Sequence, residues 1–306
     1  MKKLLVIIAM ILVVSLLPTA VLAAPAPFKA TATTQTSTEL MFAVGETDYF
    51  VGDDIRSLDV APFIREGRTL IPIRFLMEAL GGEVSWDQVK NEVAITLQGK
   101  TIKLWINNAQ AEVGGSSLPI DSTNAKVVPI IEKSRTFIPL RFVMEAIDSE
   151  VVWEPVEKII TVRYPKPALI IHDGNGYRIS YPENWVLADG SFVGFTSPEG
   201  NNANVGFEDL SADPKTLDEY TALSLATLKE VFPDIKILES ASTTLGGNTA
   251  YKVTYTATQL GSKMKIMQIW TIKNNKAYIV TYGAVEGLYS NYADTTKRML
   301  DSFTFE

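Results

Sequence analysis

The 306-residue chain contains no cysteine. Disulfides, thiolate catalysis and cysteine metal ligands are therefore excluded. A lipoprotein anchor is excluded too, because it needs a cysteine just after the cleavage point. Histidine is almost as scarce, since His172 stands alone and leaves no second imidazole for a metal. Basic runs never exceed Lys-Lys or Lys-Arg, and 28 Lys and Arg face 35 Asp and Glu for a net charge of −7. That sign argues against nucleic acid or anionic lipid head groups as the main partner. Beyond residue 17 no apolar run is long enough to span a membrane.

The one long apolar run opens the chain. Lys2-Lys3 forms a positive start, residues 4–17 (LLVIIAMILVVSLL) an apolar stretch of 14, and PTAVLAA a small-residue end. The run falls short of the roughly 20 residues of a spanning helix. A secretory signal cleaved after Ala23 or Ala24 is expected, with an uncleaved anchor as the alternative. Residues 24–40 are small, polar and Thr-rich, as a flexible spacer would be.

The most informative feature is a sentence written twice. Residues 67–80 read GRTLIPIRFLMEAL and residues 134–147 read SRTFIPLRFVMEAI. Arg68 matches Arg135 and Trp86 matches Trp153, a step of 67 residues in each case (135 − 68). Each copy predicts an extended run to Pro72 or Pro139, a short helix through Met-Glu-Ala, a stop at Gly81-Gly82 or Asp148-Ser149, and a hairpin. Between the copies, residues 100–121 predict two strands joined at Asn107-Asn108 and then a Gly-Gly turn. The shared residues read as scaffold. Phe75 and Phe142 are expected buried on matching helix faces. Arg68, Arg135, Arg74 and Arg141 are expected to pair with Glu78 and Glu145, Arg74 and Glu78 being i, i+4.

This doubled pattern resembles the copper amine oxidase N-terminal-like, or stalk, domain of exported bacterial proteins over roughly residues 41–164. The resemblance implies an α+β module with small antiparallel sheets curled around helix. In amine oxidases it is a projecting stalk remote from the catalytic centre. Pro165 and Pro167 mark a short linker at 165–168. Beyond it, GYRISYPENWVL predicts a strand and a Trp-bearing turn. Residues 213–233 predict a helix with Asp213 as N-cap and Pro214 first, Leu217, Tyr220, Leu228 and Val231 sharing a face. Four long strands follow at 235–244, 248–258, 264–273 and 276–283, then a helix near 286–300 carrying Leu288, Tyr292 and Met299 on one face, and an FTF edge strand. This order, with YPENW at its start, resembles the PsbP-like domain over 169–306. That resemblance implies an antiparallel sheet flanked by helices, in an α+β fold overall, and no particular reaction.

No catalytic, cofactor-binding or metal residue is assigned. The copper site of amine oxidases takes three histidines. Their quinone grows from a tyrosine in Thr-x-x-Asn-Tyr-acid, where this chain has Leu288 and Ala293 around Asn291-Tyr292. Tyr292 is expected in the core. DGNGY at 173–177 imitates an EF-hand centre, but Ile171 and Pro182 stand where ligands belong. It reads as a tight turn. Asp53-Asp54 reads as a solvated turn, and His172 lacks a positioned serine motif. Ser–Lys and Glu–Glu arrangements stay open at this point. Trp86, Trp105, Trp153, Trp185 and Trp270 are expected mostly in cores, with Trp105 the best candidate for an exposed, sugar-stacking ring. The expectation is an exported, non-enzymatic binding, spacing or adaptor protein, secreted or at the cell surface. Its partner would be an envelope protein or a wall polymer, with no cofactor. The alternatives are an enzyme with an unrecognised site in the C-terminal domain, or a carbohydrate or wall-polymer binder.

Overall fold

The computed structural model describes residues 37–190 and 192–306. The expected signal at 1–23 and nearly all of the expected spacer at 24–40 lie outside the described residues. These fall into two compact units, one ending at Pro167 and one beginning at Ala168.

In the first unit the repeat sets the element order. The first copy runs β1 (Thr38–Ala43), β2 (Asp48–Val51), β3 (Asp54–Ser57), β4 (Phe63–Arg65), β5 (Arg68–Pro72), α1 (Ile73–Ala79), β6 (Glu83–Asp87) and β7 (Glu92–Leu97). The second runs β8 (Lys100–Trp105), β9 (Gln110–Val113), β10 (Ser116–Pro119), β11 (Ile130–Glu132), β12 (Arg135–Pro139), α2 (Leu140–Ala146), β13 (Glu150–Glu154) and β14 (Ile159–Tyr164). Pro72 and Pro139 hold extended backbone (φ −69° and −62°) and each helix starts on the next residue. Helix α1 stops where Gly81 takes φ 75° and the Gly82 amide donates to the Met77 carbonyl at 2.8 Å. Gly is favoured in that left-handed cap. The second copy places Asp148 there at φ 62°, with Ser149 donating to Met144 at 2.9 Å.

The two copies are interleaved. One five-stranded sheet, β6-β7-β8-β9-β10, is continuous in sequence. Its twin, β13-β14-β1-β2-β3, joins the last strands of the second copy to the first strands of the first. A four-stranded sheet, β11-β12-β5-β4, takes two strands from each copy. At its centre Ile71 pairs with Ile138. These residues are also equivalents in the repeat (138 − 71 = 67), so a local two-fold axis passes through that pair. Side chains from both copies form one core, including Leu40, Phe42, Ile71, Leu76, Met77, Ile102, Leu104, Ile138, Val143, Met144 and Val162. Leu70, Ile130 and Phe137 make a smaller cluster on the same four-stranded sheet. Phe75 and Phe142 are only half-buried, contrary to expectation. A seven-residue helix has one narrow inward stripe, and Ile73, Leu76 and Met77 occupy it in α1.

The second unit is built on a seven-stranded antiparallel sheet ordered β17-β18-β19-β23-β22-β21-β20. Its strands are β17 (Val186–Asp189), β18 (Val193–Thr196), β19 (Asn202–Asp209), β20 (Lys236–Leu245), β21 (Asn248–Gln259), β22 (Ser262–Lys273) and β23 (Lys276–Val285). Helix α3 (Leu217–Val231) packs Tyr220 and Leu228 against Val253, Tyr255, Ile266 and Trp270. Its N-cap is Thr216 rather than Asp213. The Thr216 hydroxyl accepts from the Glu219 amide while the Glu219 carboxylate accepts from the Thr216 amide at 2.8 Å. This reciprocal box outcompetes a cap without a glutamate three residues on. The expected last helix divides into a 3-10 segment (Glu286–Tyr292) and α4 (Ala293–Asp301). A small sheet orders β15 (Leu169–Asp173), β16 (Tyr177–Pro182) and β24 (Thr304–Phe305), so the terminal FTF does lie on an edge. Among the described residues the molecule is mostly antiparallel sheet with few helices. No helix of theirs is long and apolar enough to cross a membrane.

Candidate binding groove

The motif arginines do not pair as the spacing suggests. Arg68 Nε donates to Asp121 Oδ2 at 2.7 Å, and Arg135 Nε pairs with Asp59. Each arginine of one copy thus clamps an aspartate that precedes the motif of the other. Burial alone would raise the Asp121 carboxyl, but hydrogen bonds from Thr123 and the Arg68 charge outweigh it and hold the group below the usual carboxylate range. Of the helix arginines only Arg141 reaches its glutamate, donating to Glu145 at 3.3 Å and to the Val151 carbonyl at 3.1 Å. Arg74 is exposed and has no ion-pair partner among the described residues.

Arg74 borders a groove of about 490 Å³ in the first unit. Its walls come from the start of α1 (Arg74, Phe75), from β6 (Val84, Ser85, Trp86) and from the other copy's β11–β12 turn (Ile131, Ser134, Arg135, Thr136). That turn is sharp, with Lys133 and Ser134 at φ 48° and 59°. The lining holds two arginines and no carboxylate, in a chain with an acidic excess. Trp86 is 38% exposed and Ile131 52%. Trp105, the expected exposed ring, is half-buried and donates its indole N–H to Glu92 at 3.1 Å. The strand register decides this, because Glu92 lies directly opposite Trp105 on β7. Trp185 and Trp270 are core residues and Trp153 is half-buried. Sequence reasoning paired Arg74 with Glu78 and expected Trp86 mostly in a core, with Trp105 as the better exposed ring. The meeting of Arg74 and Trp86 across a groove requires the fold.

The second unit gathers several polar groups in its interior. The His172 ring lies 6.0 Å from Phe195 and 6.4 Å from Tyr177, and its buried Nε2 has no hydrogen-bond partner. Burial pushes the Tyr177 hydroxyl well above its ordinary range. Gly174 packs against this ring so closely that a Cβ there would fall 2.2 Å from Tyr177 Cζ. Tyr292 is fully buried, as expected of a core residue, with its hydroxyl on Glu199. Burial raises the Glu208 carboxyl, which accepts from Tyr220 at 3.1 Å. Gln268 and Thr281 bond across the sheet at 3.3 Å. Among the described residues no three His, Asp or Glu side chains come together as a metal site.

Comparison with known families assigns both units. The copper amine oxidase N-terminal domain matches at residues 29–76, 49–128 and 121–187, and PsbP matches at 170–305. The chain belongs to the copper amine oxidase N-terminal domain family and carries a PsbP domain after it. The family pattern registers three overlapping times where the fold holds two copies. The middle match spans the whole sheet β6–β10, which straddles the copies. Among solved structures, the solution structure of cyanobacterial PsbP from Synechocystis sp. PCC 6803 is 14% identical, covering 46% of this chain and 94% of its own at a TM-score of 0.38. A protein of unknown function, PA94 from Pseudomonas aeruginosa, is 16% identical over 42% and 92% (TM-score 0.32). LpqN of Mycobacterium tuberculosis, involved in cell envelope biogenesis, is 12% identical over 45% and 90% (TM-score 0.32). No curated protein matches. The amine-oxidase family name does not bring the copper chemistry with it, because one histidine and no cysteine cannot supply that donor set.

Proposed function

We propose that this is an extracytoplasmic, non-enzymatic binding or adaptor protein of the cell envelope. In this reading residues 1–23 are removed on export and 24–40 tether the fold. The stalk-type module at 41–164 and the PsbP-type domain at 169–306, joined through 165–168, present surfaces to an envelope protein or wall polymer. The carrying observation is the pair of reciprocal clamps, Arg68–Asp121 and Arg135–Asp59. The first arginine of each motif is engaged in holding two half-modules together, which is a scaffold's use of charge.

The binding part of the reading is favoured over the spacing part. Thr38 and Tyr164, where the chain enters and leaves the module, are direct partners across β1 and β14. A module whose ends meet adds little distance along the chain. The test is fractionation of the producing cells, N-terminal sequencing of the protein recovered, and cross-linking in the envelope fraction. An exported protein beginning at residue 24 or 25 and cross-linked to envelope material is expected. An exported protein that retains Met1 would refute the cleavage, and a cytoplasmic protein would refute the whole reading.

A further inference from the structure

We propose that the groove between α1, β6 and the β11–β12 turn binds an acidic polysaccharide of the uronate class, with one sugar ring stacked on Trp86 and its carboxylate on Arg74. The proposal rests on reading the protein as a binding element, and goes beyond that reading by naming site and ligand. Exposed aromatic rings offer sugars a flat apolar face, and a guanidinium matches a planar carboxylate with two parallel N–H donors. Trp86 is exposed, and Arg74 has no acidic partner among the described residues to displace. About 490 Å³ is within the usual range for a small-ligand site.

Charge complementarity selects the ligand's sign. The groove lining carries Arg74 and Arg135 and no carboxylate, whereas the chain as a whole carries −7. Arg135 is already paired with Asp59, so the site offers about one uncompensated positive charge. One charge per sugar suits a uronate. A neutral glycan would leave Arg74 without a use. A polyol-phosphate chain has charge but no ring face to lie on Trp86.

The two-fold-related position isolates what is special here. The equivalents of Arg74 and Ser85 are Arg141 and Val152. Arg141 bonds Glu145 and the Val151 carbonyl, and Val152 is 4% exposed. The same motif therefore presents its arginine to solvent in one copy and engages it in the other. A purely structural role would not require the first arrangement.

The test titrates the full chain, lacking only residues 1–23, with oligogalacturonate, neutral malto-oligosaccharide and poly(glycerol phosphate) by calorimetry at low and physiological salt. Oligogalacturonate is expected to bind at least tenfold more tightly than either of the others, and more weakly as salt rises. Trp86→Ala is expected to weaken binding to oligogalacturonate at least tenfold. Arg74→Gln is expected to remove the preference over malto-oligosaccharide while leaving the unfolding midpoint unchanged, because both side chains are exposed. Equal binding of the neutral glycan, tighter binding of the phosphate polymer, or no binding of oligogalacturonate by the folded protein would each overturn the proposal. None of these results bears on export or on the absence of catalysis, so the broader reading stands or falls separately.

Discussion

Cutting the first unit between its copies tests the interleaved architecture directly. Residues 38–98 would lose the β1–β14, β7–β8 and β5–β12 pairings and keep only the hairpins internal to the copy. At those seams Leu40 and Phe42 face Val162 and Ile160, Val93 and Ile95 face Leu104 and Ile102, Leu97 lies opposite Lys100, and Ile71 faces Ile138. All six apolar side chains of the first copy named here are at most 3% exposed in the intact unit. At about 1.5–3 kcal/mol for each buried side chain, exposing all six costs about 9–18 kcal/mol. Even half of that matches a large share of the roughly 5–15 kcal/mol by which domains are stable. The isolated half is therefore expected to be unfolded as a monomer. Because the missing partner is a near copy of itself, it has one escape, a homodimer in which the local two-fold becomes a true one. Residues 38–98 and 99–167 mixed together are expected to restore the unit. Urea unfolding followed by circular dichroism, with sedimentation to fix the mass, reads all three states. Cooperative unfolding of monomeric 38–98 would refute the reasoning and make each copy a domain in its own right.

Leu76→Ala is expected to cost about 2–5 kcal/mol, as for a core leucine. Phe75→Ala should cost about 1–2 kcal/mol, since a half-buried ring loses only part of the transfer energy; denaturant midpoints compare the two. Asp121→Asn should destabilise by about 1–2 kcal/mol at neutral pH through loss of the charge-assisted bond to Arg68. The Asp121 carboxyl is depressed in the folded state, so its contribution is present above the ordinary carboxylate pKa and lost as pH falls through the folded one. The gap between variant and wild type should therefore close on acidification below about pH 4, and a gap that widens would contradict the assignment. After dialysis against a chelator the mature protein should retain no stoichiometric copper and show no quinone absorbance, because one imidazole makes at most a weak site.

Much of the local structure was legible because turns and strand patterns are written locally. The long strands are separated by Gly246-Gly247 and Asn274-Asn275, residue pairs that accept the positive φ a tight hairpin needs, and the Pro-to-helix transitions of both motifs are where the sequence placed them. Short polar strands such as β3 and β10, exposed along their whole length, carry no alternation to read. Partner choice was the deeper gap. A repeat shows that two segments are alike, but not whether each folds on itself or completes the other. The Arg68–Asp121 pair spans 53 residues and no local spacing hints at it. The groove was hidden for the same reason, because its walls belong to different copies. Trp86 and Trp105 look alike in sequence, and only strand register covers one and bares the other.

The adjacency of Thr38 and Tyr164 also bears on how the module would respond to force. A load applied through the chain at these two residues pulls the antiparallel strands β1 and β14 apart from their shared end, toward Ala43 and Ile159. The hydrogen bonds between them would then break one after another like a zipper, rather than all at once as in a pair loaded in shear. The extension released would be large, since the whole stretch between Thr38 and Tyr164 becomes available once the twin sheet opens. Anchored at one side and pulled at the other, such a module yields early and lengthens far, behaving as a compliant element rather than a rigid rod.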